Sequence, residues 1–367
     1  HSIRRRQRQM CIRDSSQSNN TVSLTEKVLP TVTAVTSTTN NGSYKQGETI
    51  AITIGFSEVV NVTGTPQLTL ETGGSDAVVN YSSGTGSNTL TFNYTIGAGH
   101  TSSDLDYKAT SSLALNGGTI KDAALNAATL TLASPGASNS LGDNKALIVD
   151  TTVPTVTAVT STTNNGSYKQ GETIAITIGF SEVVNVTGTP QLTLETGGSD
   201  AVVNYSSGTG SNTLTFNYTI GAGHTSSDLD YKATSSLALN GGTIKDAALN
   251  AATLTLASPG ASNSLGDNKA LIVDTSVPTI SGVSLNSANS QLTVTFAEGV
   301  YDTDGGSGDL EAADFALSIS GGVATVASTP TGITKTSQSI WVLDLNISGT
   351  ANGSETLTVN PAAGNVI

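Results

Sequence analysis

Aliphatic and aromatic residues recur at every second position through much of this chain. Ile50, Ile52, Ile54 and Phe56 alternate with Thr49, Ala51, Thr53 and Gly55. Leu68 and Leu70 stand between Gln67, Thr69 and Glu71, and Leu90, Phe92, Tyr94 and Ile96 between Thr89, Thr91, Asn93 and Thr95. Leu147 and Val149 repeat the pattern beside Ala146, Ile148 and Asp150. A period of two points alternate side chains to opposite faces, so each run predicts a β-strand with one buried face. Between the runs lie turn-forming groups: Asn40-Asn41-Gly42, Gly64-Thr65-Pro66, Gly73-Gly74, Ser82-Ser83-Gly84 and Asn116-Gly117-Gly118. No stretch carries the apolar stripe of an amphipathic helix.

The pattern is written twice. Residues 30–151 reappear, letter for letter, as residues 154–275. A third stretch opens at Val277-Pro278 and keeps the landmarks but not the letters. Leu292, Val294 and Phe296 alternate with Thr293 and Thr295, and Ala297-Glu298-Gly299-Val300 stands where Ser57-Glu58-Val59-Val60 stood. Trp341, Leu343, Leu345 and Ile347 then alternate, followed by Leu357 and Val359. A period this long is a whole domain, able to bury its own core. The expected organisation is therefore a tail over 1–25, modules over 26–151 and 152–275, and a divergent module over 276–367. The third shows no counterpart of the closing Leu147–Val149 strand, so it should be incomplete or less stable. Short strands with frequent turns predict an all-β fold of tandem antiparallel sandwiches, Ig-like or fibronectin-III-like, strung as beads. A closed barrel is the alternative that the same pattern permits.

Composition adds little chemistry. The single cysteine, Cys11, lies outside the modules, which excludes a disulfide-stapled scaffold. The formal net charge is −13; residues 1–15 carry five Arg against one Asp, a balance of +4, so the rest holds −17. Such a surface repels nucleic acid and attracts cations. No apolar run is long enough for a membrane helix. Aromatic residues make up 4% of the chain, which argues against an aromatic sugar platform. The basic stretch His1–Ser15, with Met10 inside it, lacks the apolar region of a signal peptide. Its Met-Cys-Ile-Arg-Asp-Ser run resembles an in-frame translation of a sequencing adapter, so the stretch is expected to have no part in fold or function. The strand-like Asn365-Val366-Ile367 at the other end suggests that the chain is an internal fragment.

The run Pro30-Thr-Val-Thr-Ala-Val-Thr-Ser-Thr38, the Phe56-Ser57-Glu58 element, Gly64-Thr-Pro-Gln-Leu-Thr-Leu-Glu71 and the Asp150-Thr-Thr-Val-Pro154 linker resemble bacterial Ig-like repeats of very large surface proteins, including adhesion- and motility-associated ones. The third module, with Leu310-Glu-Ala-Ala-Asp-Phe315 and Ile319-Ser-Gly-Gly322, is similar to a related type. The likeness covers Pro30 to Ile367. It implies a bacterial, extracellular, cell-surface setting and a non-catalytic spacer that presents domains outside this sequence to an unknown ligand. Its immediate partners are the neighbouring modules. Two other readings stay open: modules that bind carbohydrate or a host protein directly, and accessory modules of a secreted hydrolase. The linker before the first module departs from the pattern, with Glu26 where later linkers have Asp.

Acidic residues are the only candidates for site chemistry. In a Greek-key sandwich, Glu182 is expected in the loop after the second strand, and Asp246 and Asn250 in the F–G loop at the same pole. Asp150 lies in the linker above them. Three carboxylates and an amide carbonyl suit Ca²⁺, which takes six to eight oxygen ligands. The corresponding sets are Glu26, Glu58, Asp122 and Asn126 in the first module, and Asp274 and Glu298 in the third, where the F–G loop is lost. The competing reading is ordinary solvated loop acids. Asp104 and Asp106, repeated as Asp228 and Asp230, share one strand face opposite a leucine, as a second cation site or a polar strand end. Asp302, Asp304, Asp309 and Asp314 form a denser acidic loop without the EF-hand spacing. His100 and His224 are copies of one residue, and no Ser/His/Asp arrangement, zinc cluster or phosphate loop is expected. Glu58 and Asp122 are not expected to act as glycosidase carboxylates.

Overall fold

The computed structural model describes residues 27–303 and 306–362. The expected tail, with Cys11 and Met10, lies outside them, as do Glu26, Asp304 and residues 363–367.

In the first copy the strands are β1 (Val32–Ser37), β2 (Gly42–Tyr44), β3 (Thr49–Thr63), β4 (Gln67–Glu71), β5 (Ala77–Ser83), β6 (Ser87–Thr95), β7 (Asp106–Tyr107), β8 (Leu113–Ala114), β9 (Thr119–Lys121) and β10 (Leu147–Val149). The second copy repeats them as β11 (Val156–Ser161), β12 (Gly166–Tyr168), β13 (Thr173–Thr187), β14 (Gln191–Glu195), β15 (Ala201–Ser207), β16 (Ser211–Thr219), β17 (Asp230–Tyr231), β18 (Leu237–Ala238), β19 (Thr243–Lys245) and β20 (Leu271–Val273). One-turn helices α1 (Leu141–Asn144) and α2 (Leu265–Asn268) precede the closing strands. The third module has β21 (Ile280–Leu285), β22 (Gln291–Phe296), β23 (Phe315–Ser320), β24 (Thr325–Val326), β25 (Gly332–Ser337), β26 (Ile340–Asp344), β27 (Ile347–Ser348) and β28 (Thr356–Pro361).

Pairing in the second copy runs β11-β13-β16-β15 and then β14-β17. A bridge from Ser226 to Val273 carries it on to β20, which lies parallel to β12. The first four strands form one layer, and β14, the segment ending in β17, β20 and β12 form the other. That is the layout of an immunoglobulin-type sandwich. The path does not close as a barrel would. Between its ends, at β11 and β12, α2 fills the seam: the Val159 N–H donates to the Asn263 carbonyl, and Asn268 Nδ2 donates to the Val159 carbonyl.

Two strands belong to both layers. β15 pairs β14 through its first half and β16 through its second, with a register shift between Tyr205 and Ser207. β13 pairs β16 from Thr173 to Gly179, shifts register before Val184, and then pairs β19 from Asn185 to Thr187. Such shifts are β-bulges, which bend a strand from one sheet to the other. Inward residues of both layers, among them Ile174, Ile176, Ile178, Phe180, Leu192, Leu214, Phe216 and Tyr231, form one continuous core. The third module has a separate core around Val294, Phe315, Trp341 and Leu343.

By compactness the chain divides before Asp150. One unit takes residues through Val149 except Ser43–Lys45; the other takes Ser43–Lys45 and everything from Asp150 on. The second unit therefore holds both the second copy and the third module, between which no strand pairing occurs among the described residues.

Candidate functional site

The inward face of β13 carries an acid. Ile174, Ile176, Ile178 and Phe180 point into the core, and the period of two continues through Glu182 to Val184, which is fully buried. Glu182 thus stands inside a strand, at the bulge where β13 leaves β16, and not in the loop expected after it. Glu58 holds the same place in β3, between Phe56 and Val60. Ser181-Glu182 reads as polar and loop-like, but the strand runs on because its second half pairs a different neighbour, β19.

Asp246 and Asn250 bracket a tight loop directly after β19, within the long connection between β17 and β20. The Asn250 N–H donates to Asp246 Oδ1 at 2.8 Å and its Nδ2 to Asp246 Oδ2 at 2.8 Å. The Asp246 N–H donates in turn to the Asn250 carbonyl. The same Nδ2 reaches the Asp150 carbonyl at 3.0 Å, so Asn250 ties the linker to the loop through its nitrogen. In the linker, Asp150 Oδ1 accepts the Thr152 N–H in a local turn. Hydrogen bonds from Thr253 N–H to the Pro154 carbonyl and from Thr155 N–H to Ser181 Oγ then fix the chain to the pole.

Carboxylate oxygens of Asp150, Glu182 and Asp246 lie within 4.8 Å of one another. Among the described residues, no other three His, Cys, Asp or Glu side chains gather this closely. Asp246 is 2% exposed, and Glu182 Oε1 is buried without a hydrogen-bond partner. Burial, and then the charges of Asp150 and Asp246, raise the Glu182 carboxyl above its ordinary value. A buried carboxylate oxygen with no donor is costly, more so beside two like charges. The donor set is all hard oxygen, the chemistry that a divalent cation such as Ca²⁺ satisfies.

The other candidates are distributed differently. Glu58 Oε1 is likewise buried and unpartnered. Asp122 accepts both the N–H and the Nδ2 of Asn126 at 2.7 Å. Burial pushes the Asp122 carboxyl up, but the Asn126 and Ala124 hydrogen bonds and the Lys27 charge outweigh it and leave the value lowered. In the third module, burial and then Asp274 raise the Glu298 carboxyl, and among the described residues no third acid gathers to the pair. Asp230 is committed to its own surroundings, accepting the Tyr231 and Gly260 N–H groups. Its neighbour Asp228 is raised by burial and by Asp230. A side chain at Gly266, on α2, would meet both carboxylates at 3.1 and 3.4 Å, so this pair packs against helix backbone. The acidic loop of the third module disperses: Asp309 pairs with Lys335, while Asp314 is buried and accepts the Glu311 N–H.

His224 closes a turn. Its Nδ1 receives the Gly221 N–H at 3.2 Å and the Tyr218 hydroxyl at 2.8 Å, and its ring stacks on Tyr218. Because the Gly221 N–H donates to Nδ1, that nitrogen is an acceptor and the Tyr218 hydroxyl is the donor; burial pushes the phenol up to about 12. His100 and Tyr94 repeat the arrangement.

No family model matches the chain, and no match is found among curated proteins. Sixteen chains of solved structures do match. The chain is similar to the I-band fragment I67-I69 from titin, at 11% identity over 92% of this chain and 99% of that one, with a TM-score of 0.27. An E-to-A mutated variant of the same three Ig domains gives 10% identity, the same coverage and the same score. At that score the likeness bears no weight. The fold is read from the strand pairing.

Proposed function

We propose that this chain is a non-catalytic spacer of tandem Ig-like modules from a bacterial extracellular, adhesin-like surface protein, in which Ca²⁺ fixes a linker to a module pole. The composition, the verbatim duplication and the resemblance of its motifs support the spacer reading. One observation carries the cation: the buried, unpartnered Glu182 Oε1 with the Asp150 and Asp246 carboxylates around it. Bound there, a divalent cation supplies positive charge to three converging oxygens. Asn250 holds Asp246 in place and ties the Asp150 carbonyl to the same loop. Extracellular modules bind calcium with Kd of about 10⁻⁴–10⁻³ M. At tenfold excess over Kd the bound state gains ~1.4 kcal/mol, enough to order a linker and too little to create a fold.

Thermal unfolding of the full chain, with calcium and with chelator, tests this. A midpoint for the second copy that rises with calcium, and no longer does so in Asp246→Ala, is expected. Identical midpoints in calcium and chelator would remove the cation from the proposal.

A further inference from the structure

β15 changes partner part-way along its length. Tyr205 and Ser207 pair β16, whereas residues 201–204 pair β14. Opposite them, Asn217 and Thr219 stay in the first layer, paired to β13. The two strands splay from the Tyr205–Phe216 pair, and a cleft of about 580 Å³ opens between them. Small-molecule sites span roughly 300–1,000 Å³. Consecutive residues, 201–206 on one wall and 217–219 on the other, line the cleft, so its walls are strand edges. The Tyr205 N–H donates to the Pro190 carbonyl; by alternation the main-chain groups of Val202 and Asn204 turn away from β14 and into the cleft. The Ile220 N–H donates to the Glu172 carbonyl on the β13 side, so those of Asn217 and Thr219 turn inward from the other wall.

The side chains add uncharged groups. Asn204 Oδ1 accepts Gln191 Nε2, so its amide nitrogen is the donor it presents. Asn217 Nδ2 donates to Ser206 Oγ, so its carbonyl oxygen is the acceptor it presents. His224 Nδ1 accepts two hydrogen bonds, so Nε2 carries the ring proton. Asp200, at the margin, is paired with Lys232. With its charge compensated, the cleft has no counter-ion for a phosphate, a carboxylate or an amine. Its lining is mostly polar, which excludes a lipid-like ligand. Each edge presents two residues, too few to fix the register of an added strand.

We infer that the cleft between β15 and β16 is a binding site for a neutral saccharide, a role beyond that of a spacer. Sugar hydroxyls both donate and accept, as the mixed main-chain and amide groups require. The first copy repeats the arrangement: Gln67 donates to Asn80, Gly97 and Tyr94 bond His100, and Lys108 pairs with Asp76. In the third module β25 keeps to β26 through its paired length, and no such wedge opens among the described residues. Two sites per chain follow.

The isotope-labelled full chain is titrated with trisaccharides of glucose, galactose, mannose and xylose, followed by amide chemical shifts and by calorimetry. At least one sugar should shift the amides of Val202, Asn204, Asn217 and Thr219, together with their first-copy equivalents, at a stoichiometry of two. Asn204→Ala combined with Asn80→Ala removes one neutral hydrogen bond per site and should weaken that binding about two- to tenfold. Both side chains are exposed, so the urea transition should be unchanged. Four results would each overturn the proposal: no shifts with any of the sugars at millimolar concentration, a stoichiometry other than two, equal shifts with an uncharged Ser-Thr tetrapeptide, or undiminished binding in the double variant.

Discussion

Glu355 shows how one side chain can hold a whole connection. Its Oε1 accepts the N–H groups of Val323 and Ala324, and its Oε2 those of Asn352 and Gly353. These bonds, the Val323 one foremost, overcome desolvation and lower the carboxyl from 4.5 to about 2. The stabilisation should be fully present above pH 4.5 and lost as the pH falls through about 2. Trp341, the sole tryptophan and fully buried in this module, reports it. The urea midpoint of its fluorescence should fall in Glu355→Ala, and the acid dependence should flatten; a midpoint insensitive to both would refute the role. Glu182 has the opposite sign. Its carboxyl is raised above 4.5, so without cation the module is free of the penalty below that pH and loses stability as the pH rises through the raised value. Glu182→Gln should abolish that slope in chelator, read as the pH dependence of the second copy's melting.

Among the elements, the hairpin from β15 to β16 depends on Gly208. Its φ is +112°, and a Cβ there would stand 2.1 Å from the Thr213 carbonyl oxygen. Gly208→Ala should destabilise the second copy by at least the ~1–3 kcal/mol of a strained backbone, measured by urea unfolding. That turn was legible as Ser-Ser-Gly, and so were the strands with period two. The extent of β3 and β13 was not. Period two in fact continues from Phe180 through Glu182 to Val184, but an acid at an inward position looks like a loop until the second sheet is in view. Asp246 beside Asn250 was visible as a loop, whereas the donation of the Asn250 nitrogen, which turns its amide away from the expected carbonyl role, depends on where Asp150 lies. The α2 turn, capped by Ser264 through the Asp267 N–H, is too short for any periodicity to announce it.

For the whole molecule, the duplication has its own consequence. Neighbouring copies with identical strands can exchange them during folding, a characteristic failure of repeat proteins. Refolding of the full chain at low concentration should leave a slow or trapped fraction, which a chain with one copy diverged in sequence should lack. The parallel pairing of β12 with β20 matters for another reason. These strands lie near opposite ends of the second copy, Gly166 opposite Leu271 and Tyr168 opposite Val273. When that module is pulled by its two ends, the strands are drawn in opposite directions along a shared axis. Their hydrogen bonds then bear load together and break in shear instead of unzipping one by one. No such pair is present among the described residues of the third module. In single-molecule stretching it should give way first, making it the mechanical fuse of the series.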